Sequence, residues 1–185
     1  MENNNSFKEN NIFKNSTIFM TKEQINLIIN RLKLVEQFRN KNDFNFELLY
    51  RGTRDGDEST TFHKLCDNKR NILVIVETTK NRKFGGFCSI GYKSQGASQK
   101  DNTAFIFSLD KMKIYEIIKD GTAVFWGNQY GPLFAGSKIV VENKFFSNNS
   151  YANEKNCYYQ IPENYELNFG ESSYIIKELE VYQIY

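Results

Sequence analysis

The chain has 185 residues and a net charge of +2, which suits one domain and leaves two domains small. Its 24 basic and 22 acidic residues are scattered, which is too little bias for a dedicated nucleic-acid or membrane-surface binder but excludes neither, and no run of about 18 apolar residues exists to form a spanning helix. Aromatics make up 15%, with 16 Phe and 11 Tyr, which favours pleated, half-buried surfaces. A chain of this size buries roughly 70% of its unfolded surface, so neither disulfide nor metal is needed as a staple.

Residues 1 to 15 are Asn-rich and aperiodic, and are read as a flexible tail or linker; residues 16 to 185 are read as a single domain. The polar N-terminus lacks the pattern of a secretory signal, so the sequons at Asn4, Asn15 and Asn148 carry little weight. Thr21-Lys22-Glu23-Gln24 has the spacing of a capping box. Ile25, Ile28, Ile29, Leu32 and Val35 then form one apolar stripe, which predicts a helix from Lys22 to about Arg39 covering its own core.

Phe46 to Arg51 reads as a strand, ended by a polar turn, Gly52 to Asp57, in which Asp55 and Asp57 bond backbone amides and Arg51 or Arg54 pairs with an acid. Ser59 or Thr60 can cap a short helix through Cys66. The centre of the chain is a predicted hairpin. Ile72 to Val76 is continuously apolar, as in a strand buried on both faces, and Phe84 to Tyr92 returns with Gly85 and Gly86 inside it. Paired glycines there imply a bulge or a close neighbouring backbone.

Lys93 to Asn102 reads as a loop, followed by strands at Thr103–Leu109 and Lys113–Ile118. Asp120-Gly121 suits a tight turn into a strand over Ala123–Trp126. Gly127 to Gly136, with Gly131-Pro132, reads as a loop; Lys138–Glu142 as a strand; Lys144 to Asn156 as an exposed segment anchored by Phe145 and Phe146. Cys157–Ile161 and Ser173–Ile184 complete the strands. Many strands and few helices predict an α+β, mainly β architecture: a two-sheet antiparallel β-sandwich flanked by a few helices.

Catalytic and metal signatures are sparse. His63 is the only histidine, and His63 with Cys66 offers two ligands where zinc takes four. The acids near Gly56 lack the spacing of a calcium loop, and no phosphate-binding glycine motif or nucleophile elbow occurs. The three cysteines, Cys66, Cys88 and Cys157, have no paired spacing and read as reduced thiols of a cytoplasmic protein. Cys66 lies near Lys64, Lys69 and Arg70, so a thiol-based antioxidant is the enzymatic alternative, with Cys66 and His63 as its candidates; a buried, inert thiol is the structural one. No cofactor or metal is expected.

Six blocks then form a series: Leu48 to Gly56, with Arg51, Gly52, Asp55 and Gly56; Phe62 to Asp67; Phe84-Gly85-Gly86-Phe87; Ala104 to Leu109; Gly131-Pro132; and Lys177 to Tyr182, with Glu178 and Glu180. In order and spacing they resemble a TLDc domain, from about Ser16 to Tyr185. One departure is Leu133-Phe134-Ala135-Gly136-Ser137, where the family carries several glycines. The resemblance implies the same sandwich and an association with oxidative-stress resistance without a settled catalytic mechanism. It also implies binding to subunits of the vacuolar proton-pumping ATPase. The expectation is therefore a non-catalytic interaction domain, cytoplasmic or peripheral to a membrane complex, monomeric in isolation, without membrane insertion or nucleic-acid partner. A structural subunit of a larger assembly is the remaining alternative.

Overall fold

A computed structural model describes residues 12–13, 15–118, 120–134, 139–152, 158–161 and 166–185. In chain order it contains α1 (Lys22–Leu32), a 3-10 turn (Glu36–Phe38), β1 (Phe46–Arg51), α2 (Gly52–Asp55), α3 (Ser59–Cys66), β2 (Ile72–Thr78) and β3 (Lys83–Cys88). There follow β4 (Ala97–Lys100), β5 (Phe105–Ser108), β6 (Lys113–Glu116), β7 (Thr122–Trp126), β8 (Leu133–Phe134), β9 (Ile139–Val140) and β10 (Ser150–Tyr151). A second 3-10 turn (Glu166–Asn168), β11 (Ser173–Tyr174) and β12 (Ile176–Ile184) end the chain.

The strands form two antiparallel sheets of six, ordered β1-β12-β2-β3-β5-β6 and β11-β10-β9-β8-β7-β4. This is the expected mainly β sandwich. Its hub is β2, buried at every position between β12 and β3. Alternation along β2 divides two cores. Ile72, Val74 and Val76 face the second sheet, together with Val124, Phe134 and Ile139. Leu73 and Ile75 face the opposite side, where Ile28, Ile29, Leu32, Val35 and Phe38 cover them. The helical stripe thus packs on its own domain, as predicted.

Phe13 belongs to that second core. It lies 4.6 Å from Phe46 and 5.1 Å from Tyr182, ring centre to ring centre. Packing therefore begins at least three residues before Ser16, inside the span expected to be a tail.

The Gly85-Gly86 pair makes no bulge: β3 runs in continuous register with β2 and β5. Close approach is the reason for both glycines. A Cβ at Gly85 would stand 2.0 Å from the Val74 carbonyl oxygen, and one at Gly86 2.6 Å from the Phe134 ring. Gly86 is thus where β8 of the second sheet presses on the first.

Several expected boundaries move. The helix predicted to Arg39 stops at Leu32, and Val35, extended (φ −74°, ψ 126°), re-enters the core just before a 3-10 turn. Gly52–Asp55 is one helical turn before Gly56 at φ +93°. The loop predicted over Lys93–Asn102 holds β4, which pairs with β7. β8 lies within the predicted Gly127–Gly136 loop. Asp120 adopts φ +61°, as the Asp-Gly reading requires, yet the turn joins β6 in one sheet to β7 in the other rather than closing a hairpin. The single strand expected over Ser173–Ile184 breaks at Ile175, so β11 and β12 serve different sheets. Of the strand expected over Cys157–Ile161, Tyr159 makes one bridge to Ile117, while Cys157 lies outside the described residues.

Candidate functional site

The blocks that carry the family resemblance meet at three places. The first is a buried polar knot between β12, the β1–α2 junction and the N-terminal segment. Glu178 and Glu180 alternate with Leu179 and Val181, but the face they share is covered by chain rather than water, and both are buried. A buried carboxylate is tolerated only when its lone pairs are filled. Glu180 accepts bonds from the Ser16 hydroxyl (2.6 Å), the Thr17 amide (2.8 Å), Arg51 Nε (3.2 Å) and the Tyr182 hydroxyl (2.7 Å). Glu178 accepts from the amides of Thr53 (3.1 Å) and Leu179 (3.0 Å) and from the hydroxyls of Thr17 and Thr53. Thr17 Oγ1 lies between the two carboxylates, 3.0 Å from one and 3.1 Å from the other.

Local sequence explains the geometry. β1 ends as Gly52 turns the backbone into α2, which aims the Thr53 amide at Glu178. The turn needs glycine at its start, since a Cβ at Gly52 would stand 2.8 Å from the Phe145 ring. Asp55 closes the turn by accepting the Arg51 amide at 2.8 Å and pairing with the Arg54 guanidinium at 2.7 Å. Burial pushes the Asp55 carboxyl upward, but the Arg54 and Arg51 hydrogen bonds outweigh it and hold the group below its ordinary value. Tyr50 donates its hydroxyl to the Gly56 carbonyl, and burial pushes that phenol well above its usual range. The predicted roles of Asp55, Asp57, Arg51 and Arg54 hold, with Glu180 as the acid for Arg51 and the Phe146 amide as the donor to Asp57.

The second place is His63 on α3. Its Nδ1 lies 2.7 Å from Asp67 Oδ1, and its Nε2 lies 2.9 Å from the Gly127 carbonyl and 3.0 Å from that of Tyr130. Asp67 is held in turn by the Ser94 hydroxyl at 2.7 Å. Serine, aspartate and histidine are present, but the carboxylate stands between the other two. The ring's remaining nitrogen faces backbone carbonyls, not a nucleophile, so the order is wrong for acyl transfer. The imidazole instead ties α3 to the segment that enters β8. That segment is closed by Gly131 and Pro132: the Gly131 amide donates to the Val141 carbonyl at 2.8 Å.

The third place is the Gly85-Gly86 contact described above, which lies in the core and offers no surface. Cys66, the thiol candidate, is also fully buried, beside Tyr50, Phe62 and Tyr92. Burial, then the carboxylates of Asp67 and Asp55, push its thiol far above the ordinary range; Lys69 offsets little of this. The basic neighbours that favoured a thiolate on paper, Lys64, Lys69 and Arg70, are exposed, while the sulfur is sealed from water. Cys88 is buried in the same way.

The structure therefore joins Arg51, Gly52, Asp55, Gly56, Glu178 and Glu180 in one knot and leaves His63, Cys66 and the Gly131-Pro132 element apart from it. The donors Ser16, Thr17, Thr53 and Tyr182 escaped sequence reasoning. Ser16 and Thr17 lie more than 160 residues from the carboxylates they serve, and nothing local marks them. Among the described residues, no group of three or more His, Cys, Asp or Glu side chains is arranged to hold a metal ion. No helix among them is long and apolar enough to cross a membrane. The glycine-poor stretch at Ala135–Ser137 lies outside the described residues.

Set against known families, residues 13–185 match the model described as TLDc domain, which is nearly the whole chain. No curated protein matches it in sequence.

Proposed function

The chain belongs to the TLDc domain family, and from that premise we propose that it is a non-catalytic interaction domain that binds subunits of a vacuolar proton-pumping ATPase and contributes to oxidative-stress resistance. One observation carries the non-catalytic reading. The groups with chemical potential, His63, Glu178, Glu180 and Cys66, are all buried. The first three are engaged in hydrogen bonds within the domain, and the thiol is sealed in the core. A catalytic acid, base or nucleophile must reach a substrate atom. These groups brace the frame on which exposed loops are presented, which is the arrangement of a binding module.

The test is capture of pump subunits by the tagged chain from lysate of its own cells. Recovery of pump subunits is the expected result; recovery of a different partner without them overturns the assignment. A Cys66→Ser variant addresses the enzymatic alternative, with peroxide consumption expected to stay unchanged.

A further inference from the structure

Three separated segments converge at one end of the first sheet: the β2–β3 turn, the β5–β6 turn, and the residues after the second 3-10 turn. The Lys83 amide bonds Asp110 at 2.7 Å, and Lys80 reaches Glu171 at 2.6 Å, so the three are tied together. Exposed apolar side chains mark this end. Phe19 is 75% exposed, Met112 43% and Phe169 39%. Cations surround them. Arg82 lies 3.8 Å and Lys111 5.1 Å from the Phe169 ring centre, and Lys83 lies 6.0 Å from that of Phe19. Carboxylates stand at this end too: Asp110, Glu171, which Lys80 pairs with, and Glu23 in the first turn of α1, whose neighbour Gln24 bonds the Leu109 carbonyl; behind them Lys177 pairs with Glu77 at 3.4 Å.

The backbone at these tips is unusual. Among the described residues, the non-glycine positions in the left-handed region are three Asn, one Asp, one Lys, Met112 and Phe169. Asn and Asp adopt that region readily; bulky apolar residues do so at a cost. The two apolar cases, Met112 at φ +52° and Phe169 at φ +54°, both fall in this patch, and both hold their side chains out to solvent.

We propose that this end of the sandwich docks on an anionic lipid bilayer. Single exposed apolar side chains outside helices and strands, flanked by lysine and arginine, suit insertion at a headgroup boundary better than the seating of a peptide, which needs a groove. The cations meet lipid phosphate and carboxylate while Phe169, Met112 and Phe19 enter the interface. The proposal rests on this surface alone and does not depend on the pump reading.

Cosedimentation with protein-free vesicles tests it. The wild-type chain is expected to partition on phosphatidylcholine vesicles containing phosphatidylserine about tenfold more than on phosphatidylcholine alone, and to be released by high salt. Reversing two cations, Arg82→Glu with Lys111→Glu, is expected to lower that partition about tenfold or more. Phe169→Ser with Met112→Ser should lower it several-fold. The control pair Arg39→Glu with Lys41→Glu, on the exposed segment leading to the far end of β1, should leave it near wild type. Thermal melts of each variant check that folding is intact, and Lys111→Glu alone serves if the double variant fails to fold. Equal binding to neutral and anionic vesicles overturns the proposal. So does a loss shared by the control pair, or binding to a protein partner through Arg82 and Lys111 with vesicles ignored.

Discussion

The two sheets have the same number of strands and are held by different means. The first is built from strands of four to nine residues in long ladders, and β2 at its centre is buried on both faces. Four of the six strands in the second sheet are two residues long. So few ladder bonds hold a strand weakly, and the second sheet relies on side chains that reach backbone carbonyls. Tyr159 donates to Ala123, Tyr174 to Val140 and Trp126 to Gly91. The sheet with an unbroken pattern of apolar residues supports itself; the other is laced together by such bonds, and Trp126 joins it to the chain just after β3. Polar groups buried in this protein are consequently tie-points, and the candidate site residues are among them.

The comparison breaks most severely where the sheets touch. Gly86→Val places two methyl groups against Phe134, whose ring already stands 2.6 Å from a built Cβ. The expected loss is about 3 kcal/mol or more, with the second sheet losing order first. Urea unfolding read by both Trp126 fluorescence and circular dichroism checks it; a wild-type midpoint would show that the sheets are not pressed together at that point.

A smaller effect is expected from loosening one tether. His63→Gln cannot reach Asp67 and both carbonyls at once, and should cost about 1–3 kcal/mol. Amide hydrogen exchange should speed up at Gly131 and its neighbours while the β2 amides keep their wild-type order of protection. Equal acceleration in both sheets would dissolve the distinction between them.

Smallest is Asp55, which trims the edge of the first sheet. Its carboxyl is held below the ordinary value, so its contribution is present above the unfolded value of about 4 and is lost as pH falls through the folded one. Asp55→Asn should flatten the decline in stability below about pH 4 and change stability at neutral pH by less than about 1 kcal/mol. Melting temperatures across an acid series measure it, and an unchanged acid slope would remove Asp55 from the account.

The same contrast governs what could be read in the sequence. Ile72–Val76, Phe84–Phe87 and Phe105–Leu109 announce the first sheet because burial on both faces demands continuous apolar runs. β8 and β10 give no such signal: two residues have no periodicity, β8 sits beside Gly131-Pro132, which reads as loop, and β10 lies in the segment read as exposed, whereas β9 was legible as the apolar centre of Lys138–Glu142. The break at Ile175 is equally silent, since a strand that changes sheets keeps its apolar pattern. In the site, the Asp55 turn was legible because its partners are local. The Glu178–Glu180 knot was not, because Ser16 and Thr17 meet it only through the fold.

The account turns on the buried carboxylates being braces, and Glu180→Gln tests that most directly. Glutamine keeps the shape but turns an amide toward donors that now face one another, with Ser16, Thr17, Arg51 and Tyr182 all within reach of the replaced oxygens. Equilibrium urea unfolding should show the midpoint falling by an amount worth about 2–4 kcal/mol, with the slope unchanged. A variant as stable as wild type would mean that Glu180 does not brace the fold, and would return it to the list of groups held in readiness for chemistry.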